Sequence, residues 1–449
     1  MIDTLREYGL FDAKVPRYTS YPPANHFENL VGQHHQADWL NAVPDGSDIS
    51  VYIHIPFCKR LCWFCACRTQ GTRTLRPVDA YVDFLLKEIK AVRAQLPAGI
   101  RMARLHLGGG TPTILSPKTM SSLLDSVFGA FPKAEEFEFS VEIDPTEASD
   151  ALLATLVRFG MNRASLGVQD FSPAVQEAIG RPQTLAQTQH VIRFLRDNGV
   201  AALNLDLLYG LPHQTPASFS RTLDHVIAMR PDRLAIYGYA HVPWMSKRQV
   251  MIKEADLPDS EARFELASLA QKSLNGEDYQ TVGIDHFARK TDPLFLAQQE
   301  GRVRRNFQGY TDDQCETLIG IGASAISKFK QGYLQNAVAT SAYQDRVEHT
   351  YLAAHKGYCM TRSDRVIARI IEDLLCRFVL HTSDLYTAFP AEKATIRAIS
   401  VMLMRRFPKV FFMNNKGLEM RNWAKPLVRI IASSVDTFSR TETGHSAAI

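Results

Sequence analysis

Four of the seven cysteines fall within ten residues, in Cys58-Lys59-Arg60-Leu61-Cys62-Trp63-Phe64-Cys65-Ala66-Cys67. The first three have the spacing C-x3-C-x2-C and directly follow the end of an expected strand. A loop of that length can wrap three thiolates around one cluster, and thiolates are the soft ligands that iron–sulfur clusters take. Three ligands leave one iron open to a substrate or cofactor. A zinc site or plain buried thiols are the other readings. Structural zinc prefers four protein ligands, usually in paired knuckles, and the sequence offers no second pair. Cys315, Cys359 and Cys376 are scattered. An odd total does not look like a secreted disulfide framework.

Other residues carry chemistry by type and place. Gly108-Gly109-Gly110-Thr111 follows an expected strand, and glycines let a backbone approach a ligand closely. Most such loops are only turns, but ligand loops in alternating α/β folds sit at strand ends. Glu142 is an acid inside the apolar run Val141-Glu142-Ile143. Buried acids are rare unless paired. His54 follows Tyr52 by two residues and faces the same side of its strand; a satisfied core histidine is its commoner explanation. Gln169 and Asp206 stand at expected strand ends, and Arg181 can grip a carboxylate with two prongs. A structural network of hydrogen bonds and ion pairs would explain these three equally.

These residues need a scaffold. Ser50–Phe57 reads as a strand, and Tyr81, Leu85, Ile89, Val92 and Leu96 form a helical stripe after it. Further strands are expected at Ala103–Leu107, Glu138–Ile143, Arg163–Gly167, Ala202–Tyr209, Arg233–Tyr239 and Thr281–Ile284. Helical patterns lie between most of them, such as Leu185–Asn198. The alternation implies an α/β fold with a parallel sheet or barrel, whose active site lies at the C-terminal strand ends. Residues 1–48 read as an N-terminal arm, 49–359 as the catalytic barrel and its extension, and 360–449 as a mostly helical C-terminal domain. In that last part, Ser363 is expected to cap a helix, helical pattern recurs at Thr395–Arg406 and Pro426–Phe438, and 410–420 can form a hairpin.

Composition excludes several classes. The chain has 449 residues, with 51 Lys+Arg against 47 Asp+Glu, a balance of +4. No block of basic residues points to nucleic acid. The longest apolar runs are far short of the roughly 18–20 residues that span a bilayer. The start, Met1-Ile2-Asp3-Thr4-Leu5-Arg6-Glu7, is unlike a signal peptide. A cytoplasmic protein is therefore expected, with no nucleic acid and no membrane among its partners.

The cysteine spacing is that of the radical S-adenosylmethionine (SAM) enzymes. The chain resembles, more narrowly, the oxygen-independent coproporphyrinogen III oxidases (dehydrogenases). The likeness rests on Pro16-Arg17-Tyr18-Thr19-Ser20-Tyr21-Pro22, on Tyr52-Ile53-His54-Ile55-Pro56-Phe57-Cys58, on the fourth cysteine Cys67 and on Gly108-Gly109-Gly110-Thr111-Pro112-Thr113. Asp285-His286-Phe287-Ala288-Arg289 and Asn306-Phe307-Gln308-Gly309-Tyr310 extend it over nearly the whole chain. Ala66 departs from the glycine that family members often have there.

The resemblance implies a partial (β/α)6 radical-SAM barrel. It implies that Cys58, Cys62 and Cys65 hold a 4Fe–4S cluster, and that Tyr52, Gly109, Glu142 and Ile326 contact a first SAM. A second SAM would be met by Phe64, Gly110, Thr111, Gln169, Arg181, Asp206 and Ala240. On residue type alone, Ala240 and Ile326 are core. No catalytic residue is assigned, and the role of Cys67 stays open. The implied reaction converts two propionate side chains of coproporphyrinogen III to vinyl groups without oxygen, through a 5′-deoxyadenosyl radical, giving protoporphyrinogen IX in haem biosynthesis. Arg17 and Arg289 are candidates for the substrate carboxylates, although each is more simply a structural or surface arginine. The expected partners are that substrate and a low-potential electron-donor protein, with the chain acting as a monomer. The arm either covers the barrel mouth and helps hold the tetrapyrrole, or plugs it for stability. A related haem chaperone is the alternative. Such relatives carry an aromatic residue in place of Cys67 and lack the PRYTSYP arm. A metal-binding structural or interaction protein is a third reading.

Overall fold

The computed structural model describes residues 2–438 and 447–449. Six parallel strands lie side by side in chain order: β1 (Asp48–Ile55), β2 (Arg101–Gly109), β3 (Lys133–Ile143), β4 (Arg163–Gln169), β5 (Ala202–Tyr209) and β6 (Arg233–Gly238). Helices separate them, among them α1 (Arg76–Gln95), α2 (Pro117–Ala130), α3 (Asp150–Arg158), α4 (Leu185–Asp197) and α5 (Pro216–Ala228). This is the expected partial (β/α)6 barrel.

Alternation along the strands sorts their side chains. On β1, Ile49, Val51, Ile53 and Ile55 are fully buried in one core with Tyr81, Leu85 and Ile89 of α1. On β5, Leu203, Leu205 and Leu207 do the same. Each such aliphatic side chain contributes about 1.5–3 kcal/mol by leaving water. Tyr52, His54, Asn204 and Asp206, one residue out of phase, are left for the barrel interior. The apolar half of each strand thus holds the helices, and the polar half furnishes a site.

The sheet extends at both edges to twelve strands. Beyond β6 run antiparallel β7 (Tyr279–Val282) and β8 (His286–Arg289). The strand expected at 281–284 lies two residues earlier, because Gly283 takes a φ of +60° and turns the chain back. On the other side, β9 (Leu318–Ile321) runs parallel to β1 and is followed by antiparallel β10 (Ile326–Lys328), β11 (Gly332–Asn336) and β12 (Ala354–Cys359).

After β12 come α6 (Arg362–Arg377), α7 (Lys393–Arg406), α8 (Val428–Val435) and a small sheet of Val379–Leu380, Phe411–Met413 and Leu418–Met420. Thr361, not Ser363, caps α6, because it exchanges hydrogen bonds with Asp364 in a capping box. Six apolar arm residues, Leu5, Leu10, Phe11, Val15, Tyr18 and Tyr21, share one core with these helices. The helix Gln33–Asn41 instead packs Trp39 and Leu40 into the barrel core. The first 48 residues therefore serve two cores. Between them, Arg429 holds the arm through the carbonyls of Val15 (2.7 Å) and Pro16 (3.2 Å), and Arg17 Nη2 donates to Gly238 O at the end of β6 (2.6 Å). Among the described residues no helix is long and apolar enough to cross a membrane.

Candidate active site

The cysteine loop leaves the C-terminal end of β1 and is pinned to the loop after β2. Gly110 N donates to Ile55 O (2.8 Å) and Thr111 N to Phe57 O (2.9 Å). All seven cysteines are free, with Cys62 buried and Cys58 and Cys65 half-buried. Donors converge on the three sulfurs. Thr111 Oγ1 lies 3.5 Å from Cys58 Sγ, Arg181 Nη1 3.3 Å from Cys62 Sγ, and Cys67 N 3.4 Å from Cys65 Sγ. The Cys65 thiol is pulled down by hydrogen bonding from Cys67 and by Arg248 and Arg181, whereas burial pushes Cys58 up. Cys58 also feels the charges of Cys65 and Cys62, so the three are neighbours. Three free thiols on one loop, with Arg181 and Arg248 behind them, suit the ligand set of an iron–sulfur cluster.

The glycine loop leaves no room for side chains. Gly109 has a φ of +110°, and a Cβ there would lie 2.5 Å from the His54 ring. A Cβ on Gly108 would meet Glu142 Oε1 at 2.7 Å, and one on Gly110 would meet Phe57 O at 2.6 Å. Glu142 accepts from Gly109 N (3.0 Å) and from His106 Nε2 (3.2 Å). Burial alone would raise its pKa, but these donors and the His106 charge hold the carboxyl below its ordinary range. Its side chain is still 40 % exposed, which leaves an anionic face toward the barrel interior. His106 stacks on Tyr52 with centroids 5.8 Å apart, and Tyr52 Oη bonds His54 Nδ1 (2.9 Å). His54 Nε2 reaches Arg68 O (3.3 Å), and burial keeps the ring neutral. His54 is thus the satisfied interior histidine.

Arg181 bridges the two ends of the site. It pairs with Asp144 (3.0 Å), donates to Cys62 Sγ, and donates from Nη2 to Gly167 O (3.0 Å). Gln169 ends β4 with a φ of +66°, and the space over Gly167 is filled by Gln169 Nε2 and Arg181. Asp206 accepts from Ser165 Oγ (2.8 Å) and Asn204 Nδ2 (2.7 Å), with its pKa raised by burial. Phe64 and Ala240 are joined by one buried side chain, Gln249, whose Nε2 donates to Phe64 O (2.7 Å) and Ala240 O (3.1 Å). Ile326 stands apart on β10. Its carbonyl crowds Gly320, which is in register with Tyr52.

Several residues of the site were not singled out from the sequence. His106 shows the same i, i+2 relation to Gly108 that Tyr52 has to His54, so alternation could have found it. Asp144, Ser246 and Gln249 gave no such signal, because their partners lie far along the chain. Arg289 is corrected as a substrate contact. It lies at the opposite end of the sheet, beside Asp232, and pairs with Asp278 (3.4 Å).

A three-thiol loop at the mouth of a partial barrel, facing a carboxylate and a glycine cradle, defines a radical SAM enzyme, and residues 52–226 match the family model of the radical SAM superfamily. The chain is 46 % identical, over 99 % of both chains, to an oxygen-independent coproporphyrinogen III oxidase of Paracoccus denitrificans. It is 48 % identical to the anaerobic coproporphyrinogen III oxidase 1 of Cereibacter sphaeroides, over 100 % of this chain and 99 % of that one. The solved coproporphyrinogen III oxidase of Escherichia coli, described as a radical SAM enzyme, superposes with a TM-score of 0.90 at 35 % identity, covering 95 % of this chain and 100 % of that one. The chain belongs to the oxygen-independent coproporphyrinogen III oxidase family. Membership of the radical SAM superfamily brings with it a 4Fe–4S cluster and SAM.

Proposed function

We propose that this protein oxidatively decarboxylates two propionate side chains of coproporphyrinogen III to vinyl groups without oxygen, giving protoporphyrinogen IX. The observation that carries the reading is the three-thiol loop set against the Glu142–His106–Tyr52 network at the barrel mouth. Cys58, Cys62 and Cys65 would hold the cluster. When bound, the cluster and SAM would supply 5′-deoxyadenosyl radical chemistry for removing hydrogen from the propionate carbon β to the carboxylate. The substrate then loses CO2 and one further electron to an acceptor.

The chain's own residues bind and orient. Glu142, held anionic, suits the methionyl ammonium of a first SAM, with Tyr52, Gly109 and Ile326 around it. Phe64, Gly110, Thr111, Gln169, Arg181, Asp206 and Ala240 are the proposed surroundings of a second SAM. Arg181 also supports the cluster loop, since it touches Cys62. Arg17 at the end of β6 is the proposed contact for substrate carboxylates, with the buried Arg305 beside it (Arg305 Nη2 to Arg17 O, 3.5 Å) adding positive charge. The free thiols suit a reducing compartment, and we assign the protein to the cytoplasm, with a low-potential donor protein as its source of electrons. The chaperone reading is not favoured, because both Cys67 and the PRYTSYP arm are present.

The test is anaerobic turnover of coproporphyrinogen III by reconstituted protein with SAM and a chemical reductant. CO2 and the divinyl product are expected. Cleavage of SAM with no vinyl product would overturn the reading.

A further inference from the structure

We propose that the surface loop 244–253 is the docking site for an acidic protein that carries one low-potential electron. The inference rests on the proposed function, in naming where the reductant of that same site arrives. Trp244, Met245, Val250 and Met251 are 57 %, 65 %, 70 % and 58 % exposed. Four large apolar side chains held in water on one short loop are what interaction surfaces show. The loop is anchored, not loose. Buried Gln249 accepts from Val242 N (2.6 Å), and Ile252 is packed beneath.

The charge around it is one-sided. Residues 58–76 and 244–253 together hold eight Lys and Arg and no Asp or Glu, in a chain whose totals are nearly equal. Lys14 of the arm adds its Nζ at 5.9 Å from the Trp244 ring. The acids at its border are Glu147, paired with Lys59, Asp144, paired with Arg181, and Glu254 and Asp256 just past the loop. An apolar centre framed by cations fits a partner with an acidic rim, and such complementarity steers encounter.

The loop also touches the cysteine segment directly. Ser246 Oγ donates to Cys65 O (2.9 Å), Gln249 to Phe64 O (2.7 Å), and Arg248 to Thr69 O and Oγ1 (both 2.9 Å). A partner seated on 244–253 is separated from Cys65 by one layer of chain. Per encounter the carrier is oxidised by one electron and the acceptor held by the cysteines is reduced by one; no proton or group moves.

The probe is a purified, strongly acidic flavodoxin, titrated calorimetrically against the full-length reconstituted protein at low and high salt. Binding to the unaltered protein is expected to weaken as salt rises. Lys247→Glu with Lys253→Glu should weaken it at least about tenfold, as should Val250→Ser with Met251→Ser. Turnover driven by reduced flavodoxin should fall in step, while turnover driven by dithionite stays unchanged. The proposal is overturned if the unaltered protein does not bind the flavodoxin, or if both variants bind it within twofold of the original. It is also overturned if dithionite-driven turnover falls equally, which would make the loop part of tetrapyrrole entry. An unaltered protein that binds flavodoxin yet makes no vinyl product under dithionite would instead sink the proposed reaction.

Discussion

Replacing Cys62 with serine removes one of three thiolates and one of the two partners of Arg181 Nη1, the other being Asp144. A two-thiolate loop should not retain the cluster, so iron and sulfide after reconstitution are expected to fall close to zero, with the visible absorption lost. Full iron content in Cys62→Ser would refute the assignment. Asp206 lies deeper, bonded to Ser165 and Asn204 and not to any cysteine. Asp206→Ala should keep the cluster absorption and lose most turnover; iron falling in proportion to turnover would make Asp206 a scaffold residue. Gly109→Ala meets both a φ of +110° and the His54 ring. Left-handed strain alone costs on the order of 1–3 kcal/mol, so a lower unfolding midpoint and loss of SAM binding are expected together. At this scale the chain was readable where chemistry depends on residue type: thiols, glycines, an acid in an apolar strand. Asp144 was not singled out because it acts through a partner distant in the chain, His106 was not although strand alternation marks it, and Arg181 was read without its contact to Cys62.

Strands β1 to β6 were legible because each carries a local signal, a short run with apolar residues on the face turned to the helices. Strands β8 to β12 are three to six residues long, and their pairing is decided by distant partners, so no local pattern announces them. The join between α1 and β11 makes a test at this scale. Glu88 of α1 is fully buried and accepts from Gly322 N, Asn336 Nδ2 and Tyr343 Oη. Burial nonetheless pushes it up from 4.5 to about 7. An acid raised on folding contributes its stability fully below its unfolded value and loses it as pH rises through the folded one, roughly 3 kcal/mol over that span. Unfolding free energy should therefore decline between about pH 4.5 and pH 7, and Glu88→Gln should flatten that slope whatever its offset. An unchanged slope would place the titration elsewhere.

At the scale of the molecule, the arm is part of a core. Its six buried apolar side chains lie in the core of α6 to α8. Removing them forfeits on the order of 10 kcal/mol of burial, comparable to the stability of a whole domain. Deletion of residues 2–24 is expected to yield protein that is insoluble or quickly clipped by protease after residue 360. A soluble truncated protein that cleaves SAM but forms no vinyl group would instead give the arm a role confined to the substrate. The contact between Tyr18 and Asp436 joins residues 418 positions apart. During synthesis at about 5–20 residues per second, the thiol loop, the glycine cradle and all six barrel strands emerge well before the partner that draws the arm across the end of β6. For roughly ten to forty seconds after the sixth strand is made, the nascent chain holds its future site before Asp436 exists to anchor the arm. Iron and sulfide would have their freest path to the cysteines in that interval, so the order in which the ribosome delivers the chain favours loading the metal before the arm is drawn over the end of β6.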